Sequence, residues 1–343
     1  MSAEYSDSKG RLYYFDNAKF ILIFLVVLAH AISPLKSQFP FCHVLWTLIN
    51  TFHMPAFIFI SGYFAKSYIA KDNSLKVQRT TNYVILFLVC QVLVTAFELF
   101  VLKERFIPSI FAARSSLWFL QCLIWWHIVL PYVARFKPWL VLVGTVLVAL
   151  AVGYEKNCEN FVSISRTFVH FPFFMLGYYT TNEKLQKLFK PSVRIAGILV
   201  FVAAAVLVAV YPEISVSKII TCNYSYLNIR ALDVIPFMFK WVARVIFYVS
   251  AVLLGASFLS FIPRKKMFFT SLGSKSLSVY ILHRFPYLAH LKYAWAMHFD
   301  SPLGIAALCL IALAMTVLFS VKPFTLLFDY IQRIRTDKLL KKQ

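Results

Sequence analysis

The stretch NAKFILIFLVVLAHAISP, residues Asn17–Pro34, decides the fold class. Its apolar run approaches the roughly 20 residues that an α-helix needs to cross about 30 Å of hydrocarbon. A lysine, Lys19, nevertheless lies near one end of the run, and a histidine, His30, lies near the other. Ionisable side chains inside a membrane helix are costly unless they are paired or face a cavity. Both residues are therefore candidates for a functional site.

The composition of the whole chain agrees with this first segment. The 343 residues are 60% hydrophobic and 14% charged, and they include 35 phenylalanines and 18 tyrosines. Soluble domains are about half apolar and about a quarter charged. The alternating segments of ~10 residues that characterise an outer-membrane barrel are not seen. The composition therefore predicts an all-α, polytopic integral membrane protein built as a helical bundle.

Apolar segments along the chain predict about ten transmembrane helices. Their expected ranges are 18–35, 44–64, 83–102, 116–134, 138–154, 166–181, 194–211, 238–261, 270–288 and 302–321. The transmembrane region, residues 18–321, would thus form one domain. An N-terminal segment, residues 1–17, would precede it, and a basic tail, residues 322–343, would follow it.

The distribution of lysine and arginine predicts the orientation of these helices. With the N-terminus in the cytoplasm, 21 of the 35 basic residues fall in cytoplasmic segments, nine fall outside and five lie within spans. Because positive residues accumulate in cytoplasmic loops, both termini are expected to be cytoplasmic. The same loops account for the net charge of +21 and for contact with anionic lipid headgroups. Membrane lipids are therefore expected partners, and a nucleic acid is not.

Helical periodicity places Lys19 and His30 on one face of the first helix. They are eleven residues apart, which is nearly a whole number of turns and about 16 Å along the axis. Asp16 lies one turn before Lys19 on that side and is expected to pair with it. Two simpler interpretations stay open here. A terminal lysine can extend to the membrane surface, and a histidine can form an interhelical hydrogen bond.

Other spans repeat this arrangement. In the predicted topology, His53 of the second span and His283 of the ninth lie with His30 in the outer half of the membrane. Lys275 lies near the inner end of the ninth span, and Arg79 opens the third span on the cytoplasmic side. Histidine can take and return a proton near neutral pH. Basic groups at the inner side suit a phosphorylated ligand.

These residue types predict group transfer from a cytoplasmic acyl-CoA to a hydroxyl acceptor. His30 would act as the general base, while Lys19, Arg79 and Lys275 would hold the CoA phosphates. A polytopic transporter, such as a flippase for a lipid-linked saccharide, also needs buried charge and a cavity, and it remains the alternative. No close spacing of ligands indicates a metal site.

Five stretches together resemble a known family. They are RLYYFDNAKFILIFLVVLAH at 11–30, FHMPAFIFISGYF at 52–64, SSLWFLQCLIWW at 115–126, RTFVHFPFFMLGYY at 166–179 and LGSKSLSVYILH at 272–283. In this order they resemble the motifs of membrane-bound acyltransferase family 3, in particular its branch of fucose 4-O-acetylases and related acetyltransferases. The likeness covers nearly the whole chain.

The resemblance implies a multi-pass enzyme of the bacterial inner membrane with about ten helices. It would transfer an acyl group, usually acetyl, from acetyl-CoA to a sugar hydroxyl of a surface or exported glycan, without a tightly bound cofactor. Lys19 and His30 fill the basic–x10–His positions of the family. His53 fills the second-span histidine, Arg79 the basic position that opens the third span, and Trp118 the fourth-span tryptophan. Arginine is common where Lys19 stands, and lysine lacks the fork for a bidentate phosphate contact.

Further site residues complete this hypothesis. His53 and His283 would share the proton transfer, orient the substrate or simply pack. Trp118, His283 and Asp16 are assigned to substrate binding, with Trp118 stacking on a sugar or an adenine ring. Arg166 and Arg244 lie within predicted spans, where an arginine lines a cavity or extends to the membrane surface.

Overall fold

The computed structural model describes residues 12–68, 77–105, 112–156, 163–214 and 217–334. Its first eight helices are α1 Tyr13–Ile32, α2 Pro40–Ala65, α3 Val77–Ala96, α4 Trp118–Val133, α5 Pro138–Val152, α6 Ile164–Tyr179, α7 Asn182–Gln186 and α8 Pro191–Val210. The next seven are α9 Ser217–Ile220, α10 Val242–Phe261, α11 Thr270–Gly273, α12 Ser276–Leu282, α13 Arg284–Tyr293, α14 Pro302–Leu318 and α15 Leu326–Arg333. Every element of the described ranges is helical, which confirms the predicted all-α class.

Several of these helices suit a membrane. With adjoining turns included, the helices that are long and apolar enough to cross a bilayer are Tyr13–Leu35, Pro40–Ala65, Val77–Val101, Pro191–Val210 and Phe237–Phe261. Shorter apolar helices cover Trp118–Val133, Pro138–Val152 and Pro302–Leu318. A multi-pass membrane protein therefore follows from length and composition. The count of ten spans and the placement of both termini stay predictions.

The chain forms two compact units. The first comprises Met1–Phe57, Thr180–Ile220 and Val245–Thr325, and the second comprises Ile58–Tyr179, Thr221–Arg244 and Leu326–Gln343. In the first unit α1 packs against α11, α12 and α14. Apolar side chains of α1, including Phe15, Leu22 and Ile23, are almost completely buried. α1 is therefore a central helix of the first unit.

The side chain of Asn17, near the start of α1, is satisfied by residues 263–270, which end at the first residue of α11. The fully buried Asn17 donates through Nδ2 to the carbonyls of Pro263 and Lys265, both at 2.9 Å. Its Oδ1 accepts from the Thr270 hydroxyl at 2.6 Å. Because these bonds replace water, α1 extends back to Tyr13, before the residue 18 at which the sequence predicted its start.

The ninth predicted span, residues 270–288, is not one continuous helix. It is divided into α11, α12 and the first part of α13. Lys275 has a non-helical backbone (φ −104°, ψ 12°) between α11 and α12. Pro286 cannot donate a backbone hydrogen bond to the carbonyl of Leu282, the last residue of α12. The break places His283 at the junction of α12 and α13.

In the second unit, α2 and α6 approach each other through two glycines. A Cβ at Gly62 would lie 1.9 Å from the Phe174 carbonyl oxygen, and a Cβ at Gly177 would lie 2.0 Å from that of Phe59. Small residues let membrane helices approach at backbone distance. Gly62 and Gly177 therefore let α2 and α6 come into backbone contact.

The start of the predicted tail packs against α3. Asn82 Nδ2 donates to the Gln332 carbonyl at 2.9 Å, and Gln78 donates to the carbonyl of Ile334. Phe328 and Ile331 of α15 are buried. Residues 335–343, the rest of the tail, lie outside the described residues.

Replacing Asn17 with alanine is expected to destabilise the protein by ~2 kcal/mol or more. The change removes three hydrogen bonds and leaves the hydroxyl of the buried Thr270 without its acceptor. The matched control is Asn50→Ala, because Asn50 makes one local bond, from Nδ2 to the Trp46 carbonyl. Thermal unfolding in detergent measures both variants. Equal shifts in Tm would contradict this account of the start of α1.

Replacing Gly62 with alanine is expected to cost about 1–3 kcal/mol, because the backbone of α6 must move. Gly144→Ala is the control, since a Cβ at Gly144 meets nothing within 4 Å and alanine favours the helix by up to ~1 kcal/mol. The Tm of the purified variants distinguishes them. A neutral Gly62→Ala would show that α2 and α6 are not in backbone contact.

Candidate functional site

His30 lies between two side chains that are more than 250 positions away along the chain, His283 and Tyr287. It is in the last turn of α1. Its ring stacks on His283 with centroids 5.3 Å apart and a 24° interplanar angle. The ring of His30 also contacts the ring of Tyr287 in α13, with centroids 4.5 Å apart. Because His283 and Tyr287 are four residues apart in helical backbone, both rings lie on the face that contacts the histidine of the first span.

Arg284 adds a cation to this group. Its Nη1 donates to Nε2 of His30 over a long distance of 3.4 Å, and its guanidinium lies 4.5 Å from the ring centroid of Tyr287. Arginine has no acceptor atom, so Nε2 of His30 presents its lone pair in this contact. A proton acceptor and a fixed positive charge consequently lie side by side.

The neighbouring histidines are held in one tautomer. Nδ1 of His283 donates to the Val279 carbonyl at 2.8 Å, and Nδ1 of His53 donates to the Ile49 carbonyl at 2.7 Å. Because a carbonyl can only accept, Nε2 carries the lone pair in both neutral rings. Nε2 of His283 is buried and has no partner among the described residues. His53 is also within electrostatic range of His30.

His30 and His283 line a cavity of about 500 Å³. Its walls come from α1, from the α12–α13 junction, from the turn that follows α13 and from α14. The lining residues are Val27, His30, Ala31, His283, Pro286, Tyr287, His290, Trp295, His298, Phe299, Leu308, Ile311 and Met315. Apolar walls with a few convergent polar groups are typical of a small-molecule site.

The other end of α1 carries the predicted ion pair. Lys19 Nζ lies 2.9 Å from Oδ1 of Asp16, and Asp16 is 4% exposed. The backbone of Gly273 packs directly on the Asp16 carbonyl, and Lys275 follows two residues later. The hydrogen bonds of Asn17 hold a basic loop, residues 263–266 with sequence PRKK, at the same end. Since the continuous helix separates Lys19 from His30 by about 16 Å, cations and histidines lie at opposite ends of α1.

Arg79 and Trp118 belong to the second unit. Arg79 Nη1 donates to the hydroxyl of Ser67 at 2.9 Å. Trp118 stacks on His170, with centroids 5.3 Å apart, and Arg166 lies 4.8 Å from its ring. Their predicted roles in phosphate binding and in stacking stay predictions.

The sequence interpretation did not include Arg284, Tyr287 and His290 among the site residues. In the sequence, Arg284 contributes only to the nine basic residues that fall outside the membrane. His283, Tyr287 and His290 follow an i, i+4, i+7 spacing, which is one face of a helix, and this spacing was the signal available. His290 hydrogen-bonds to the backbone of Ala31, so it also ties α13 to α1.

Comparison with known proteins gives one match. A family model described as an acyltransferase domain, acyltransferase 3, matches residues 12–321. No curated protein and no solved structure matches the chain. The matched region contains both ends of α1, the cavity and nearly every described helix. The chain therefore belongs to the acyltransferase 3 family of membrane acyltransferases.

Proposed function

We propose that the protein transfers an acyl group, most simply acetyl, from cytoplasmic acyl-CoA to a sugar hydroxyl of a surface or exported glycan. The observation that carries this proposal is the contact of Arg284 with His30, which itself lines a cavity. Acyl transfer needs a base for the attacking hydroxyl and a positive group for the oxyanion that forms. Family membership favours this function over the transporter alternative.

In the proposed reaction His30 is the general base. When the acceptor binds, its hydroxyl displaces Nη1 of Arg284 from the lone pair of His30 Nε2. Nε2 then takes the hydroxyl proton while the hydroxyl oxygen attacks the thioester carbonyl. The carbonyl oxygen becomes an oxyanion that the guanidinium of Arg284 stabilises. The C–S bond then breaks, and the CoA sulfur leaves with the proton that His30 returns. The products are an acyl ester of the sugar and free CoA.

His53 and His283 take supporting roles in the proposal. His53 shares the proton transfer with His30, in line with their electrostatic proximity. The unpartnered Nε2 of His283 is suited to accept a hydrogen bond from the acceptor sugar. Both rings are already oriented by their Nδ1 hydrogen bonds, so binding costs little reorganisation.

The donor would enter from the end of α1 that carries the cations. Lys19 and Lys275 are the proposed phosphate ligands at this end. Arg79, in the second unit, stays the third phosphate ligand that the sequence predicted. Because Asp16 neutralises Lys19, the basic loop, residues 263–266, supplies the net positive charge at this end. An extended pantetheine arm of on the order of 15–20 Å matches the ~16 Å between Lys19 and His30.

The cellular setting follows from the same proposal. Acyl-CoA is cytoplasmic, while the glycan is exported, so the enzyme would act within the bacterial inner membrane as a multi-pass protein. The sugar acceptor agrees with the resemblance to fucose 4-O-acetylases. Acyl-CoA is a substrate here, and membrane lipids surround the helices.

Replacing His30 with alanine is expected to lower acyl transfer by ~10²-fold or more, which is the scale of a general base. The assay follows the label of acetyl-CoA into the glycan fraction of inverted membrane vesicles, with protein amount and Tm checked in parallel. His43→Ala is the control, because His43 is not among the cavity-lining residues. Full activity of His30→Ala at normal protein level would remove His30 from the mechanism.

Replacing Arg284 with glutamine is expected to lower kcat by ~10²-fold with little change in the KM for acetyl-CoA, because an oxyanion contact exists only in the transition state. Arg284→Lys should recover part of the rate. Lys292→Gln, near the end of the same helix and exposed, should leave both parameters unchanged. A raised KM with unchanged kcat would instead assign Arg284 to substrate binding.

A further inference from the structure

A second polar cluster lies in the second unit around Arg244. This residue is in the first turn of α10 and has no exposed surface. Its Nη1 donates weakly to the Ala149 carbonyl at 3.4 Å, and its guanidinium lies 5.0 Å from the ring of Tyr226. Nε and Nη2 have no hydrogen-bond partner among the described residues. A buried guanidinium with unsatisfied N–H groups costs considerable free energy unless a ligand accepts hydrogen bonds from it and balances its charge.

Nothing near Arg244 in the described chain balances its charge. The ion pairs of the described residues do not include it. Burial raises the pKa of Tyr226 to about 12, although the charge of Arg244 acts in the opposite direction. Burial likewise raises the pKa of Cys222 to about 11, against the charges of Arg244 and Arg166. Both neighbours therefore stay neutral at physiological pH, and the Tyr226 hydroxyl also lacks a partner.

Residues from the first turns of three helices contribute to this cluster, since Arg166 lies 4.8 Å from the ring of Trp118 and the charges of Arg166 and Arg244 both act on Cys222. Trp118 begins α4, Arg166 is in the first turn of α6, and Arg244 is in the first turn of α10. Arg166 Nε donates to the Thr221 carbonyl at 3.1 Å, and Arg166 and Trp118 are both partly exposed. Helix N-termini carry partial positive charge, so they add to the two guanidinium groups. Trp118 and Arg166, which are partly exposed, would form the entrance of the binding site, and the fully buried Arg244 would lie behind them.

The scaffold of the cluster is fixed by the segment 221–226. The Tyr226 N–H donates to the Gly153 carbonyl at 2.7 Å, and the Ser225 hydroxyl donates to the same oxygen at 3.0 Å. The Ser165 hydroxyl donates to the Cys222 carbonyl at 3.0 Å. A Cβ at Gly153 would lie 2.1 Å from the Tyr226 ring. The positive groups are therefore pre-organised.

We propose that Arg244 and Arg166, with Tyr226 and Trp118, bind an oxyanion carried by the glycan acceptor, either a carboxylate or a phosphate. Arginine pairs with both through its planar fork, and Trp118 supplies an aromatic face for the adjoining sugar. In the predicted topology α4, α6 and α10 all begin at the outer surface, where an exported glycan arrives. Only the identification of this ligand as the acceptor rests on the proposed function.

The test measures binding by the purified full chain. Tm is recorded with a uronic acid oligosaccharide, with a sugar phosphate and with a neutral oligosaccharide of equal length. Arg244→Met keeps the volume and removes the charge. Arg230→Met is the matched control, because Arg230 is exposed in the same loop region. Tyr226→Phe provides a second variant that keeps the ring and removes the hydroxyl.

The uronate or the sugar phosphate is expected to raise the Tm of the wild type and of Arg230→Met, and the ligand that does so identifies the anion. Arg244→Met should lose this response while its own Tm is equal or higher, because an unpaired buried charge has been removed. Tyr226→Phe should weaken the response by roughly fivefold in apparent Kd, the loss of one hydrogen bond. If Arg244→Met does not fold, the Tyr226→Phe result decides alone.

Three results would overturn the proposal. They are an unchanged anion response in Arg244→Met, no response of the wild type to either anion, and an unchanged response in Tyr226→Phe. Because the readout is binding without acetyl-CoA, it is separate from the proposed chemistry. Failure of the proposed function would appear as absent transfer from acetyl-CoA in the wild type, whatever the anion result.

Discussion

Lipid offers no hydrogen-bond partner and no counter-charge, so every polar group of a membrane helix must be compensated inside the protein. This constraint shapes α1. Asp16 neutralises Lys19 at one end, Asn17 is satisfied by residues 263–270, and His30 accepts from Arg284 at the other end. The ion pair lies within α1, while the other two compensations tie α1 to other parts of the first unit. The ionisable residues that make the helix costly also determine its neighbours.

The same constraint explains why the chemistry is expected at the end of α1 that carries His30. Compensation there is incomplete, since Nε2 of His283 has no partner among the described residues. Buried polar side chains that lack hydrogen-bond partners lower the stability of the protein. Such side chains are retained at sites where a bound substrate supplies the missing hydrogen bonds. The opposite end is fully bonded around Asn17 and serves as a scaffold for the cations. Arg244 in the second unit follows the same logic with an anionic ligand.

Much of this arrangement could be predicted from local patterns. The apolar runs gave the helical class, and helical periodicity placed Lys19 and His30 on one face, with Asp16 paired to Lys19. The irregular backbone at Lys275 and the missing backbone donor at Pro286 were not predicted, because a hydropathy run registers neither feature. Arg284 was missed for a related reason: its role depends on the contact between α1 and α13, which spacing within one helix cannot show. The spans themselves are predicted more securely than their number, since five helices meet both length and hydropathy requirements.

The central claim is that His30 and Arg284 act on one reacting centre. A double-mutant cycle tests it most directly, with kcat/KM measured for the wild type, both single variants and the combined His30→Ala, Arg284→Gln variant. Residues that act together are strongly non-additive. The combined variant should therefore be no slower than His30→Ala by more than a few-fold. Losses that multiply, so that the double variant falls by the product of the two single effects, would show that the two side chains act independently.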